Sequence, residues 1–294
     1  MSVALALVVG FLAVRYLLIA GVELTPAPVL QRPNYRGELV PAVGGVLLVA
    51  AVVVVEAGRS TLGAFGLGDE PGDAVDRILV LSACLGFGFL GLVDDVLGQG
   101  SDRGFTGHLR ALARGQLTTG GLKLIGGGGL ALVLASVPGF VSGRRLVADA
   151  LLVALAANLG NLLDRAPGRA IKSALVAYVP IAIAAGTDPV AVAIAPVMGA
   201  AAGLLPDDLR ERLMLGDTGA NVLGAVLGLG VVLELGRGAR TGVLVGLIAA
   251  NVAAEFVSFS AVIERVRPLR AFDRLGRRPV GSGGGPWPAG PGTR

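Results

Sequence analysis

The chain has 294 residues, of which 53% are hydrophobic and only 16% charged, with a mean hydropathy of +0.75. This is too apolar for an ordinary soluble domain and reads as a polytopic membrane protein. A net charge of +4 and a pI near 9.8 invite a nucleic-acid reading. The basic residues, however, sit in short loops between apolar runs, a pattern that sets membrane orientation, so nucleic acid is excluded as a partner.

In chain order, runs long enough to span a bilayer at about 1.5 Å per residue fall at 2–22, 40–55, 78–93, 122–140, 146–163, 171–185, 190–205, 220–235 and 241–259. The first lacks a basic leader region and a small-residue cleavage site, so it reads as a retained helix. The fold class expected is all-α, a polytopic membrane bundle of about nine to ten transmembrane helices. Residues 1–278 form a single transmembrane domain, and 279–294, rich in Gly and Pro, form a disordered tail. Glycine and alanine dominate over aromatic residues, so close helix packing through small residues is expected. The one cysteine, Cys84, lies inside an apolar run and has no internal disulfide partner.

Loops joining odd to even helices, with the segment after the ninth, carry roughly 17 basic residues, against about six in the opposite loops. The odd-to-even face is therefore expected to be cytoplasmic, in the plasma membrane, with the N-terminus outside and the C-terminal segment inside. The loop between the second and third helices holds Asp69, Glu70, Asp73 and Asp76, but acidic residues count for little in orientation.

Five polar motifs all fall on that face. The second helix opens with Pro41-Ala42-Val43-Gly44-Gly45, and the third closes on Gly91-Leu92-Val93-Asp94-Asp95. Two adjacent carboxylates at the negative end of a helix dipole need positive charge nearby, and a divalent cation is the obvious candidate. The fifth helix ends in Asn158-Leu159-Gly160-Asn161-Leu162-Leu163-Asp164, whose polar residues step by three and share one face about 120° wide. Two such amides can equally cross-link helices. Leu215-Gly216-Asp217-Thr218-Gly219 opens the eighth helix, where Asp217-Thr218 reads either as a ligand or as an ordinary N-cap. Glu255-Phe256-Val257-Ser258-Phe259-Ser260 closes the ninth and leads into Ile263-Glu264-Arg265.

Together these motifs resemble the polyprenyl-phosphate N-acetylhexosamine-1-phosphate transferase family, from about Arg32 to about Arg278. The best matches are 91–95, the Asn-x-x-Asn-x-x-Asp series at 158–164, and Gly216-Asp217-Thr218-Gly219. The resemblance implies a Mg²⁺-dependent enzyme of the cell envelope in which polyprenyl phosphate displaces UMP from a UDP-sugar, with the long lipid tail held in the bilayer. It implies catalytic roles for Asp94, Asp95, Asp164 and Asp217, and a metal set of Asp217, Asp95 and Asn161. Lys123, Asn158, Asn161, Gly44 and Gly45 would serve the substrates. The chain departs from the family pattern in three places. Asp164 is followed by Arg165 rather than Gly, the family lysine three positions after the Asp pair is Gly98, and the last cytoplasmic loop lacks the histidine motif. The sole histidine, His108, lies in the third-to-fourth loop. These departures argue against a muramoyl-pentapeptide substrate and suggest Arg165, Arg169 and Lys172 as a substitute phosphate clamp. The competing reading is a catalytically silent relative serving as a membrane scaffold. A homodimer stays open.

Overall fold

The computed structural model describes residues 1–20, 28–67, 74–98, 114–115, 118–137, 142–186 and 188–278. His108, the acidic residues Asp69, Glu70 and Asp73, and the expected 279–294 tail lie outside the described residues. The described chain is all-α, with one small hairpin. Its helices are α1 (Val3–Ala20), α2 (Gly44–Ala64), α3 (Ala74–Leu97), α4 (Thr119–Ser136), α5 (Gly143–Leu163), α6 (Arg169–Ala185), α7 (Pro189–Leu209), α8 (Gly216–Glu234), α9 (Arg237–Phe256), α10 (Phe259–Arg265) and α11 (Arg267–Arg274).

The nine expected helices are all present. Among the described residues seven are long and apolar enough to cross a membrane, namely α1, α2, α3, α5, α7, α8 and α9. The chain is thus a multi-pass membrane protein. The other two expected spans are shorter: the apolar stretch of α4 runs Gly120–Ser136, and α6 has 17 residues with Pro180 inside it. Several boundaries also move. Helices α2 and α3 run past the apolar segments into charged sequence because Glu56 pairs with Arg59 at 2.9 Å and with Arg77 of α3 at 2.7 Å. In lipid every backbone group needs an internal partner, so a helix continues wherever its side-chain charges are matched.

Helix α8 is the axis of the bundle. It packs on α2, α3, α5, α6 and α7, and nearly all its residues are buried. Helix α7 is buried almost as deeply and carries α1 along one side. Helix α9 stands at the periphery against α5 and has no buried residue.

Two glycines set how closely α8 is approached. A Cβ on Gly45 of α2 would strike the backbone of Gly219, and one on Gly91 of α3 would overlap the backbone of Asp217 and Thr218. These contacts bring α2 and α3 against the first turn of α8, where the polar motifs meet.

Between α1 and α2 the chain forms a hairpin of β1 (Gln31–Pro33) and β2 (Leu39–Pro41), antiparallel with Arg32 opposite Val40. Its tip is closed by Asn34, whose side-chain oxygen accepts the N–H of Arg36 and of Glu38, each at 2.9 Å. Past the hairpin, the N–H groups of Gly44 and Gly45 donate to Met214 and Leu215 at 2.9 and 2.8 Å, and Met214 N–H donates to Pro41 at 2.9 Å. The hairpin is therefore fastened to the segment that enters α8.

Candidate functional site

The C-terminal ends of α3 and α5 and the N-terminal ends of α4 and α8 meet at one end of the bundle. Asp94 and Asp95 occupy the last turn of α3, and about 100° of helical rotation separates them. They therefore face different neighbours. The Asp95 carboxylate is 8% exposed and points at α8. It accepts the N–H of Asp217 at 2.9 Å, the N–H of Thr218 at 2.8 Å and the Thr218 hydroxyl at 2.6 Å. A carboxylate on the free N–H groups of a helix start is stabilised by both hydrogen bonding and the helix dipole. The N-cap of α8 is therefore supplied by α3, and Asp217 is released from capping.

That changes the expected metal set. Both oxygens of Asp95 are engaged by the first turn of α8, so Asp95 acts as a structural acceptor, in contrast to the metal-ligand role expected of it. Gly216 makes the arrangement possible: its φ of +71° suits glycine, and a Cβ there would sit 2.9 Å from an Asp95 oxygen.

Asp94 faces Lys123 of α4, whose Nζ lies 2.6 Å from Asp94 Oδ2 and also contacts Asp217 Oδ2. The Asn161 side-chain amide donates to the same Asp217 oxygen at 3.4 Å. Asp164 is the C-cap residue of α5. Desolvation among the converging helices, and then the charges of Asp208, Asp217 and Asp95, hold its carboxyl well above the ordinary range. Arg32 of β1 donates to the backbone carbonyl of Asp95, placing a second cation at the negative end of α3. Lys123, Arg32 and the start of α8 thus place positive charge beside the double Asp.

A cleft of about 310 Å³ opens beside Asp164, lined by Asn34, Tyr35, Arg165, Asp208, Glu211 and Met214 among others. This is near the lower limit for a small-ligand pocket. Its walls are tied together: Asn34 donates to Glu211 at 2.8 Å, Arg36 pairs with Glu211 at 3.0 Å, and Gly168 N–H donates to Asp208 at 2.7 Å. Asp208, Glu211 and Asn34 were not singled out from the sequence. One signal was there, because Leu205-Pro206-Asp207-Asp208 repeats the apolar run ending in a double Asp seen at 93–95.

Five other expected site residues are placed elsewhere. Arg169 forms a two-pronged pair with Asp273 of α11, at 2.8 and 3.0 Å, and also donates to Ser260 at 2.8 Å. Lys172 Nζ donates to the backbone carbonyls of Phe272, Asp273 and Leu275 at 2.9, 2.7 and 3.1 Å. Both are buried and committed to α11, so neither is a phosphate clamp; of the three proposed clamp residues, exposed Arg165 alone lines the cleft. Asn158 donates to Asn251 of α9 at 2.6 Å, so it cross-links helices instead of joining the acidic group. Gly44 and Gly45 are buried with their N–H groups taken by Met214 and Leu215, which leaves a packing role in place of substrate contact.

Asp and Asn oxygens are the hard donors Mg²⁺ prefers, and that ion is commonly held by one or two carboxylates with the remaining positions filled by water and phosphate. Asp94 and Asp217, whose side chains are 24% and 29% exposed, fit such a partial set with Asn161. Among the described residues no three His, Cys, Asp or Glu form a ready-made cage. No family model and no curated protein matches the chain.

Proposed function

We propose that the protein is a Mg²⁺-dependent glycosyl-1-phosphate transferase that moves a sugar-1-phosphate, an N-acetylhexosamine-1-phosphate by preference, from a UDP-sugar to polyprenyl phosphate. The observation that carries this reading is Lys123 clasped between Asp94 and Asp217, with Asn161 on the same Asp217 oxygen, where four membrane helices end. In the reaction, an oxygen of the lipid phosphate attacks the sugar-linked phosphorus of the donor. The bond from that phosphorus to the bridging oxygen breaks, and UMP departs with that oxygen.

The barrier to such a step lies mainly in gathering negative charge and holding it in line. Asp94, Asp217 and Asn161 would hold Mg²⁺, which when bound supplies charge neutralisation. Lys123 stands where its ammonium can turn from the two aspartates to a phosphate oxygen. Asp95 fixes the first turn of α8 and so aims Asp217. Arg165 on the rim of the cleft is placed to meet the donor pyrophosphate. The site lies in the plane of the bundle end, so a polyprenyl tail remains in the bilayer while its phosphate reaches the carboxylates. The basic asymmetry of the loops supports a cytoplasmic site in the plasma membrane.

A second reading, a catalytically silent membrane scaffold, draws on the commitment of Arg169 and Lys172 to α11 in place of a phosphate clamp. One assay separates the two: UMP release by the detergent-purified protein from a panel of UDP-sugars, with polyprenyl phosphate and Mg²⁺. Release that requires both the lipid and the metal supports the transferase. Absence of release across the panel, from protein that is monodisperse and thermally stable, supports the scaffold.

A further inference from the structure

Helices α10 and α11 follow the last membrane helix and lie at the same end of the bundle as the site. Asp273 anchors α11 through Arg169, Arg277 donates to Pro167 at 2.9 Å, and Arg36 reaches the carbonyl of Arg278 at 3.3 Å. One side of α11 is accordingly fixed to the protein. At about 100° per residue, Leu269 and Phe272 lie within about 60° of each other, while Arg267, Arg270 and Arg274 gather on the opposite side. Asp273 falls between the two faces. The apolar face is only partly covered by protein: Lys172 Nζ lies 5.4 Å from the centre of the Phe272 ring, yet Leu269 is 46% and Phe272 41% exposed, with Val266 and Leu275 beside them at 38% and 66%. The membrane helix α9 leads into this segment through the extended residues Val257 and Ser258, and Phe256 and Val257 are also exposed. A short helix with separated apolar and basic faces, held level with the ends of membrane spans, has the character of an element lying in the bilayer interface.

We infer that α10 and α11 form an interfacial anchor whose apolar residues Leu269 and Phe272 enter the acyl boundary while Arg265, Arg267 and Arg270 bind the headgroups of anionic phospholipids. Charge complementarity selects the lipid class. Exposed cations on these helices outnumber their exposed acid, Glu264, which is already paired with Arg274 at 2.9 Å. Because α11 is tied through Asp273 and Arg277 to Arg169 and Pro167, lipid binding would also steady the segment that leads from Asp164 into α6. The inference depends on membrane insertion and is independent of the transferase reading.

The test is hydrogen exchange of the full-length protein, one copy per nanodisc, in phosphatidylcholine alone and with about a third phosphatidylglycerol. Each surface arginine engaged by anionic lipid is expected to slow exchange across α10 and α11 by about fivefold, while α8 exchange stays unchanged. Arg265→Gln, Arg267→Gln and Arg270→Gln together are expected to abolish the lipid dependence and leave α8 exchange as it was. Equal exchange in the two lipids, or a dependence that survives all three substitutions, would overturn the inference. So would protection that appears only with two copies per disc whatever the lipid, which would make a second copy of the chain the occupant.

Discussion

Asp95→Asn separates a structural carboxylate from a catalytic one. Asp95 Oδ1 accepts one backbone N–H, and Oδ2 accepts a second N–H and a hydroxyl, at 2.6 to 2.9 Å. An amide has a single oxygen. Whichever way it turns, its NH₂ group meets a donor from α8, so at least one charge-assisted bond is lost and a buried N–H goes unpaired. With the charge at the start of α8 removed as well, the cost is about 2–4 kcal/mol. For a chain of this size that corresponds to a fall of roughly 5 °C or more in melting temperature. The assay is thermal unfolding in detergent at a fixed scan rate, since unfolding of a membrane bundle is read as a rate. Asp94→Asn is the control: its partner Lys123 keeps Asp217, and the pair is partly open to water, so the expected change is within about 1 kcal/mol. A melting temperature for Asp95→Asn within about 1 °C of the parent would refute the capping role, as would a larger fall for Asp94→Asn.

Arg169→Ala breaks a buried ion pair and leaves Asp273 short of its main partner, so it should cost about 3–5 kcal/mol and lower the yield of folded protein. Arg165→Ala should leave melting unchanged and, if the transferase reading holds, raise the donor KM by about tenfold; the opposite pattern in the two variants would reverse their assignments. Burial opposes ionisation of Asp273, but the Arg169 hydrogen bond and the charges of Arg277, Arg169 and Lys172 prevail and hold its carboxyl below the ordinary range. A depressed carboxylate stabilises the fold above its unfolded value of about 3.9. Exchange protection of α11, corrected for intrinsic rates, should therefore be flat from about pH 5 to 8 and fall as the pH drops below about 4; a loss centred near neutrality would contradict this. Asp164 has the opposite sign: its carboxyl is raised, so the charged form strains the fold increasingly as pH rises through the raised value. Asp164→Asn should accordingly raise the melting temperature, more at about pH 8 than at about pH 5.

The helices were readable because lipid permits few alternatives. An apolar run of spanning length must close its own hydrogen bonds, so composition alone located all nine. Their ends were less readable: α2 extends to Ala64 because a glutamate in one helix meets arginines in two, a match of partners far apart in sequence. The hairpin at 31–41 was not readable at all. Its strands have three residues each and each ends in a proline, and contacts from Arg32 to Asp95 and from Pro41 to Met214 hold it in place. For the site, the meeting of motifs at one end of the bundle could be anticipated from their common depth. The division of labour within it could not. Asp94 and Asp95 are neighbours in sequence, and only the rotation between them sends one to Lys123 and the other to α8. Arg165 and Arg169 are likewise near neighbours, but the start of α6 buries the second against an aspartate more than 100 residues away.

The buried acids of the bundle are not all balanced alike. At the end away from the site Glu56 and Asp149 each have two cations, and so do Asp207 and Asp273 on the site side, which pair with Arg15 and Arg212 and with Arg169 and Arg277. Glu56 meets Arg59 and Arg77, and Asp149 meets Arg145 at 2.8 Å and Arg240 at 3.1 Å. Groups balanced in this way serve to close a helix end against lipid, and apolar residues of like volume often replace them without loss. Within the acidic cluster itself, Asp94 and Asp217 share Lys123, while Asp95 accepts backbone N–H groups that carry only partial charge. A bundle selected for stability alone has no use for that excess of acid, since each carboxylate added there raises the cost of ionising Asp164. The excess is explained if the site is completed by something cationic that arrives with the substrate, and a phosphate-bound divalent ion has the required charge and ligand preference.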